Sequence, residues 1–251
     1  VSGGGIAGMT AAAALAQQGF ATHLVEKESR LGGILNHLDT IAPAGIRAAD
    51  VLTAKVHEVE MSHVQTHLNA TVETISGLVG NFSAHLSNGE ELRVGAVVMA
   101  TGSQPYQPVE FAFGQDPRVI TNLELEALLA AGDLKATRIT FISCVGSRQG
   151  STGCARYCCT SMINQALELR RMGKQVRVLS KDIRTYSRNA EELYKEAMQS
   201  GVQFFRYADL PPQDAIVWQD GGVVFHDELL NRNIRIETDL LVLVVGLKPA
   251  T

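Results

Sequence analysis

Cysteine is absent from almost the whole of this chain. Only four of the 251 residues are cysteines, and all four lie between Cys144 and Cys159, in the stretch CVGSRQGSTGCARYCC. Basic clusters are also missing. No run of Lys or Arg is longer than the pair Arg170–Arg171, and the net charge is −4. That argues against a nucleic-acid or anionic-membrane surface. No apolar stretch approaches the ~20 residues of a membrane-spanning helix; Leu240 to Val245 is the longest run of large aliphatics. The opening VSGGGIAGMTAAAALAQQG has no basic leader, so it does not read as a secretory signal. Without a targeting signal the expected compartment is the cytoplasm, where clustered cysteines more often bind metal or catalyse than form disulfides. The chain starts at Val1 without a methionine and stops at Thr251 just after an expected strand, so it reads as a piece of a longer protein.

What is present is glycine in a telling pattern. Val1 to Glu28 reads as strand, turn, helix, strand, with Gly3, Gly5 and Gly8 at the G-x-G-x-x-G positions. The first glycine permits the tight turn, the second lets a pyrophosphate approach the backbone, and the third lets the helix pack on the strand. The helix is expected over Ile6–Gln18 and the next strand over Ala21–Val25, ending at Glu26. An acid so placed accepts hydrogen bonds from ribose hydroxyls. Gly32 and Gly33 again allow a ligand close to the backbone. A helix over Ala48–Ser62 follows, then short strands at Val64–His67, Thr71–Ser76, Phe82–Leu86 and Leu92–Val94. A buried strand over Gly95–Met99 then runs into Ala100-Thr101-Gly102. His57, His63 and His67 read as surface residues.

A β-α-β dinucleotide unit, a small meander and a strand ending in Ala-Thr-Gly together resemble the FAD-binding domain of the two-dinucleotide-binding, thioredoxin-reductase-like flavoproteins. The resemblance implies that Gly3, Gly5 and Gly8, with Ile6 and Ala7, cradle the FAD pyrophosphate. It also implies that Glu26, with Lys27 beside it, holds the adenosine ribose and that Gly32 and Gly33 lie along the cofactor. Val72 would meet the adenine, and Ala100, Thr101 and Gly102 would close over it.

Pro105, Pro108 and Pro117 mark a linker, and a second α/β unit follows. Its expected elements are a helix over Leu123–Ala131, a strand over Arg138–Cys144 and a helix over Cys159–Met172. After them come a strand over Gln175–Ser180, a helix over Ala190–Ser200, a strand over Val202–Phe205, a hairpin over Ile216–Phe225 and a buried strand over Leu240–Val245. In such flavoproteins this unit binds NAD(P)H, yet the loop after Cys144 lacks the short phosphate turn. Cysteines stand where a pyrophosphate would sit.

Four thiols in sixteen residues suggest one shared partner. A structural zinc usually takes two Cys-x2–4-Cys pairs, and here the last two cysteines are adjacent. A disulfide is disfavoured in a reducing compartment and strained between neighbours. A redox dithiol would need Cys-x-x-Cys or a pair beside the flavin. An iron–sulfur cluster needs four converging thiolates, which a loop and a first helical turn can supply. On a helix, Cys154 and Cys158 would share one face. On the residues alone, iron–sulfur and zinc both stay open. Arg148, Arg156 and Arg184 flank the cysteines and either tune a bound group or are simply solvated.

The opening GGGIAGMTA, with Cys-Val-Gly-Ser-Arg, Arg-Tyr-Cys-Cys-Thr and Asp182-Ile183-Arg184-Thr185-Tyr186, is similar to the A-type flavoprotein component of heterodisulfide reductase and its relatives. These include the sulfur-oxidising heterodisulfide-reductase-like complex and the quinone-interacting oxidoreductase. That resemblance implies an FAD domain over 1–108, a modified nicotinamide-type α/β domain over 109–240, and the start of a return to the FAD domain over 241–251. It implies a 4Fe-4S cluster held by Cys144, Cys154, Cys158 and Cys159. It further implies electron exchange with iron–sulfur partner subunits in sulfur metabolism, with a homodimer allowed and any membrane attachment made through partners. The alternatives are an NAD(P)H-dependent flavin disulfide reductase and a zinc-stabilised scaffold. The former would need a redox cysteine pair and a second G-x-G-x-x-G.

Overall fold

The computed structural model describes residues 1–250. They fall into two compact units, one of residues 1–38, 47–104 and 249–250, the other of residues 39–46 and 105–248.

In the first unit the helix Ile6–Gln17 follows the glycine turn directly, with Gly5 as its N-cap. Its small residues let it pack closely: Gly8, Ala12 and Ala13 are buried with Met9, beside Leu24 and with Val59 of the helix Ala48–Met61. Ser2 bridges in parallel to both Val25 and Met99, and His23–Val25 pairs in parallel with Gln65–His67. A three-stranded antiparallel meander follows over Val72–Leu78, Asn81–Leu86 and Glu91–Val94.

The expected buried strand over Gly95–Met99 does not form. Met99 is 63% exposed and, among the described residues, pairs only through the single bridge to Ser2. One bridge does not make a ladder, and Gly95, Ala96, Val98 and Met99 are all exposed.

The second unit is built on a five-stranded parallel sheet. Its order is Gln203–Arg206, Gln175–Ser180, Arg138–Val145, Leu240–Val245, Val119–Thr121. Both faces are covered, which is why LLVLVV is apolar without alternation. Phe141, Val242 and Val244 pack with Met162 and Ile163 of the helix Cys158–Arg171. Ile142, Leu241, Leu243 and Val245 pack on the other side with Tyr207 and Val223.

A capping box starts the helix Asn122–Ala131: Thr121 Oγ1 accepts from the Glu124 N–H, and Glu124 answers on the Thr121 N–H. The hairpin Ile216–Gln219/Gly222–Asp227 gains a third strand, Arg232–Glu237, that the residue pattern does not suggest. Its RNIRIE is mostly polar, and only Ile236 is buried.

The unit boundaries fall between Gln104 and Pro105 and between Lys248 and Pro249. The residue pattern places them after residues 108 and 240. The difference at Leu240–Val245 arises because this is a central strand of the second unit, paired on both sides.

Candidate functional sites: a glycine cradle and a cysteine pocket

The glycine cradle is shaped by close backbone approach. Gly3 takes φ +108, and a Cβ there would meet the Ala100 carbonyl oxygen at 2.2 Å. A Cβ on Gly8 would lie 1.7 Å from the Gly3 oxygen. Gly5 differs, since a Cβ there would meet nothing within 4 Å. Its missing side chain is therefore not required by the protein's own packing. It leaves room beside the N-terminus of a helix, where unpaired N–H groups and the helix dipole favour an anion.

Glu26 is buried, and both of its oxygens are engaged. Oε2 accepts from the Gly4 N–H at 2.5 Å and Oε1 from the Glu28 N–H at 2.9 Å. The carboxylate thus clasps the turn, a role its spacing does not reveal, and retains lone pairs for a further donor. Gly32 (φ +125) bridges Gly5, and its N–H reaches the Gly4 oxygen at 2.9 Å. A Cβ on Gly33 (φ +53) would lie 3.2 Å from the Gly5 Cα. Gly3, Gly4, Gly5, Gly32 and Gly33 are therefore brought together. The Ala100 N–H donates to the Ser2 oxygen at 2.7 Å, which seats Ala100 beside Gly3. Val72 opens the meander opposite Leu86. Lys27 is exposed and lies 3.8 Å from Glu28.

The three histidines divide. His57 and His63 are exposed as expected. His67 is half-buried, 2.8 Å from Glu90 and 3.0 Å from the ring nitrogen of His23.

In the second unit Cys144, Cys154, Cys158 and Cys159 all line one small pocket, with Ser143, Ser147, Arg148, Arg156, Arg184 and Tyr186. Two backbone features bring them there. The strand Arg138–Val145 shifts register against Leu240–Val245 between Ile142 and Val145, and within that bulge Cys144 adopts φ +65. Bulges re-aim side chains beside functional sites. At the other end, Cys158 and Cys159 are the first two residues of a fourteen-residue helix, where amide dipoles favour negative charge.

Cys154 does not share a helical face with Cys158 as expected. It lies in the non-helical loop before the helix, because Arg156 takes the left-handed φ of +64 and interrupts helical geometry. Its sulfur accepts from the Arg156 N–H at 3.4 Å.

The electrostatics of the pocket oppose free thiolates. Burial pushes the Cys144 thiol up, offset in part by the Ser143 hydroxyl and by the charges of Arg148 and Lys181. Cys158 is raised strongly, first by burial and then by the other three sulfurs. Cys159 is pushed up to about 11 by burial, despite a hydrogen bond from the Arg184 backbone. Two cations stand close by, Lys181 buried and Arg148 half-buried. The Lys181 ammonium bonds the Arg148 carbonyl at 3.3 Å and Asp209 at 3.1 Å, and Arg148 pairs with Asp182. Nothing in the local spacing points to Ser143, Asp182 or Asp209 as part of this surround. Among the described residues, no three His, Cys, Asp or Glu side chains are disposed about a single metal ion. The four sulfurs share a pocket without converging on one point.

A sequence profile of the pyridine nucleotide-disulphide oxidoreductase family matches residues 1–251. The chain is 25% identical to the A-type component of the H(2):CoB-CoM heterodisulfide,ferredoxin reductase of Methanothermobacter marburgensis, over 99% of this chain and 53% of that protein. It is also 25% identical to the A-type component of the ferredoxin:CoB-CoM heterodisulfide reductase of Methanosarcina mazei, over 100% of this chain and 44% of that protein. The resemblance to this component of heterodisulfide reductase is thereby borne out. The chain spans about half the length of the curated relatives it matches. The first alignment runs over 352 positions, more than the 251 residues available, so that relative carries residues within the matched stretch that this chain lacks.

Among solved structures, thioredoxin reductase of Lactococcus lactis superposes with a TM-score of 0.67 at 19% identity, covering 99% of this chain and 77% of that one. The T. acidophilum thioredoxin reductase gives 0.66 at 16%, covering 98% and 76%. The expected thioredoxin-reductase-like α/β fold is thus observed, and the chain belongs to the pyridine nucleotide-disulphide oxidoreductase family.

Proposed function

We propose that this chain is the FAD- and 4Fe-4S-carrying core of the A-type component of a heterodisulfide-reductase-like complex in sulfur metabolism. It exchanges electrons between the flavin and iron–sulfur partner subunits. The observation that carries the reading is the pocket itself. Four cysteines line one cavity at the strand-to-helix turn where a nicotinamide domain would hold its nucleotide, in a chain that also keeps a glycine cradle. A single tetrahedral ion with ~2.3 Å bonds to sulfur would draw its thiolates to within ~4 Å of one another. A cubane has an iron at each of four corners and takes thiolates spread around a cavity. The four cysteines share one cavity, and the adjacency of the last two, unlike the paired Cys-x2–4-Cys spacing of a structural zinc, is what supports the cluster.

FAD supplies two-electron chemistry when bound, and a 4Fe-4S cluster supplies one-electron steps. The backbone of Gly3, Gly5, Ile6, Ala7 and Gly8 would receive the pyrophosphate. Glu26, near Lys27, would accept from the ribose, and Gly32, Gly33, Val72, Ala100, Thr101 and Gly102 would border the rest. Cys144, Cys154, Cys158 and Cys159 would be the cluster ligands. Because burial favours the neutral form of Cys144, Cys158 and Cys159, metal binding would have to release thiol protons and would be coupled to local folding. Arg148 and Lys181 would oppose the negative charge of the thiolates, and Ser143 would orient Cys144. The lost phosphate turn weighs against a stand-alone NAD(P)H disulfide reductase. The electron partners are proposed to be iron–sulfur subunits in the cytoplasm; no helix among the described residues is long and apolar enough to cross a membrane.

The test is an anaerobic reductive titration of protein reconstituted with FAD, iron and sulfide. The reading expects about three electrons per chain, two at the flavin and one at the cluster. An endpoint of two electrons, with no bleaching outside the flavin bands, would overturn it.

A further inference from the structure

Two donors share one backbone oxygen beside Cys158. The Tyr157 hydroxyl donates to the Val245 carbonyl at 2.7 Å, and the Cys158 thiol donates to the same oxygen at 3.5 Å. Tyr157 immediately precedes the helix Cys158–Arg171, and its ring packs against the apolar core on that side of the sheet. Val245 ends the central strand Leu240–Val245 and is fully buried. Its N–H donates to Asn122 Oδ1 at 3.0 Å, which fixes the orientation of the Asn122 amide. Asn122 is fully buried, yet its Nδ2 has no partner among the described residues. A buried polar atom left over in this way calls for an explanation. The Tyr157 oxygen supplies one. Burial, and then the charge of Cys158, push the Tyr157 hydroxyl up and keep its proton on, while Asn122, as a hydrogen-bond neighbour, works the other way. Tyr157 is thus a fixed donor with an amide behind it and a cysteine sulfur beside it.

The two donors are alike only while Cys158 keeps its proton. A metal-bound cysteine is a thiolate, so ligation removes the S–H donor and turns the sulfur into an acceptor. The sulfur then faces a carbonyl oxygen, which repels it, and a hydroxyl whose hydrogen turns about a single bond. Hydrogen bonds to an ionised acceptor are stronger than those to a neutral one, so the O–H favours the sulfur. A three-centre bond leaves the carbonyl part of the same hydrogen. We infer that Tyr157 is a positioning residue whose hydroxyl is drawn to the Cys158 thiolate in the ligated protein and raises the reduction potential held there. The inference rests on the iron–sulfur reading above and adds to it a residue that sets the level of that site. An added electron makes the ligand sulfurs more negative, so a donor at one of them stabilises the reduced state more than the oxidised one.

The test is an anaerobic redox titration of the reconstituted full chain, followed by electron paramagnetic resonance of the reduced cluster, with iron and sulfide counted in every sample. Tyr157→Phe is expected to lower the midpoint potential. At the wild-type midpoint its ratio of reduced to oxidised cluster should fall ~5-fold, which is ~40 mV for a one-electron couple. Placing 3-fluorotyrosine at position 157 keeps the ring nearly the same size and makes the hydroxyl more acidic and a stronger donor. It is expected to move the midpoint the opposite way. A hydroxyl that only braced the Val245 carbonyl would not give shifts of opposite sign. Any other pattern, above all unchanged midpoints in both proteins, overturns the inference. If Tyr157→Phe takes up too little iron to titrate, the direction of the fluorotyrosine shift decides alone. Wild-type protein that takes up no iron and sulfide overturns the iron–sulfur reading, and the inference with it.

Discussion

The turn after Ser2 and the turn after Val145 both join a parallel strand to a helix, one in each unit of the molecule. They use that position in opposite ways. The first is three glycines long before its helix begins, and Gly5 leaves an unfilled space at the helix N-terminus. The second needs twelve residues, bends through Gly146, Arg148, Gly150 and Arg156 at positive φ after a strand that already turns at Cys144, and lines the space with sulfur. The lesson is that a strand–turn–helix joint supplies a helix dipole and a gap, while loop length and side chains decide whether the gap receives a phosphate or holds thiols. Glycine also means different things in the two turns. At Gly8 and Gly3 it relieves a backbone collision, at Gly5 it leaves room for a ligand, and at Gly146 it makes way for the Tyr106 ring, which a Cβ would meet at 2.2 Å.

That contrast can be broken at either turn. The largest effect is expected at the sulfur turn. Cys158→Ser should cut iron in anaerobically reconstituted protein from about four atoms per chain to below about one, since a cubane missing a ligand is readily lost. Iron and sulfide assays check this, and FAD content should be unchanged. Next is Gly8→Ala, which places a methyl on the Gly3 carbonyl and is expected to destabilise by ~3 kcal/mol or more, read by denaturant melts. Gly5→Ala separates ligand room from folding. With no protein atom near its Cβ and an extended φ of −74, stability should change by less than ~1 kcal/mol, while FAD affinity falls ~100-fold in fluorescence titrations.

The smallest effect lies away from both turns. Arg138 and two backbone N–H groups hold the Asp239 carboxyl below the usual carboxylate range, with the Arg138 side chain contributing most. A depressed folded-state pKa stabilises above the unfolded value and is lost as pH falls through the folded one. Asp239→Asn should therefore lower Tm at pH 7, and the gap to wild type should close as pH drops below ~4.

Much of this is legible in the residues, for physical reasons. Gly3 and Gly8 announce their turn because only glycine tolerates those approaches, Gly5 completes the pattern by leaving room at the helix N-terminus, and LLVLVV announces a strand covered on both faces. The gathering of Cys144 with Cys154, Cys158 and Cys159 is readable from spacing alone. The route by which it happens is not. A bulge at Cys144 and a left-handed Arg156 are choices of backbone that tertiary packing imposes, so the helical face expected for Cys154 gives way to a loop. The Glu26 clasp on Gly4 and the Arg148–Asp182 and Lys181–Asp209 pairs join residues far apart in sequence, and no local pattern encodes them. The strand expected over Gly95–Met99 fails for a different reason: hydrophobicity signals burial, but a ladder also needs a partner longer than one bridge.

The central claim is that the four cysteines hold a polynuclear iron–sulfur group. Metal and acid-labile sulfide, counted in protein expressed and purified without air, test it most directly. The account predicts about four irons and four sulfides per chain with zinc near zero, and loss of both on Cys158→Ser. One zinc per chain with no sulfide would contradict it.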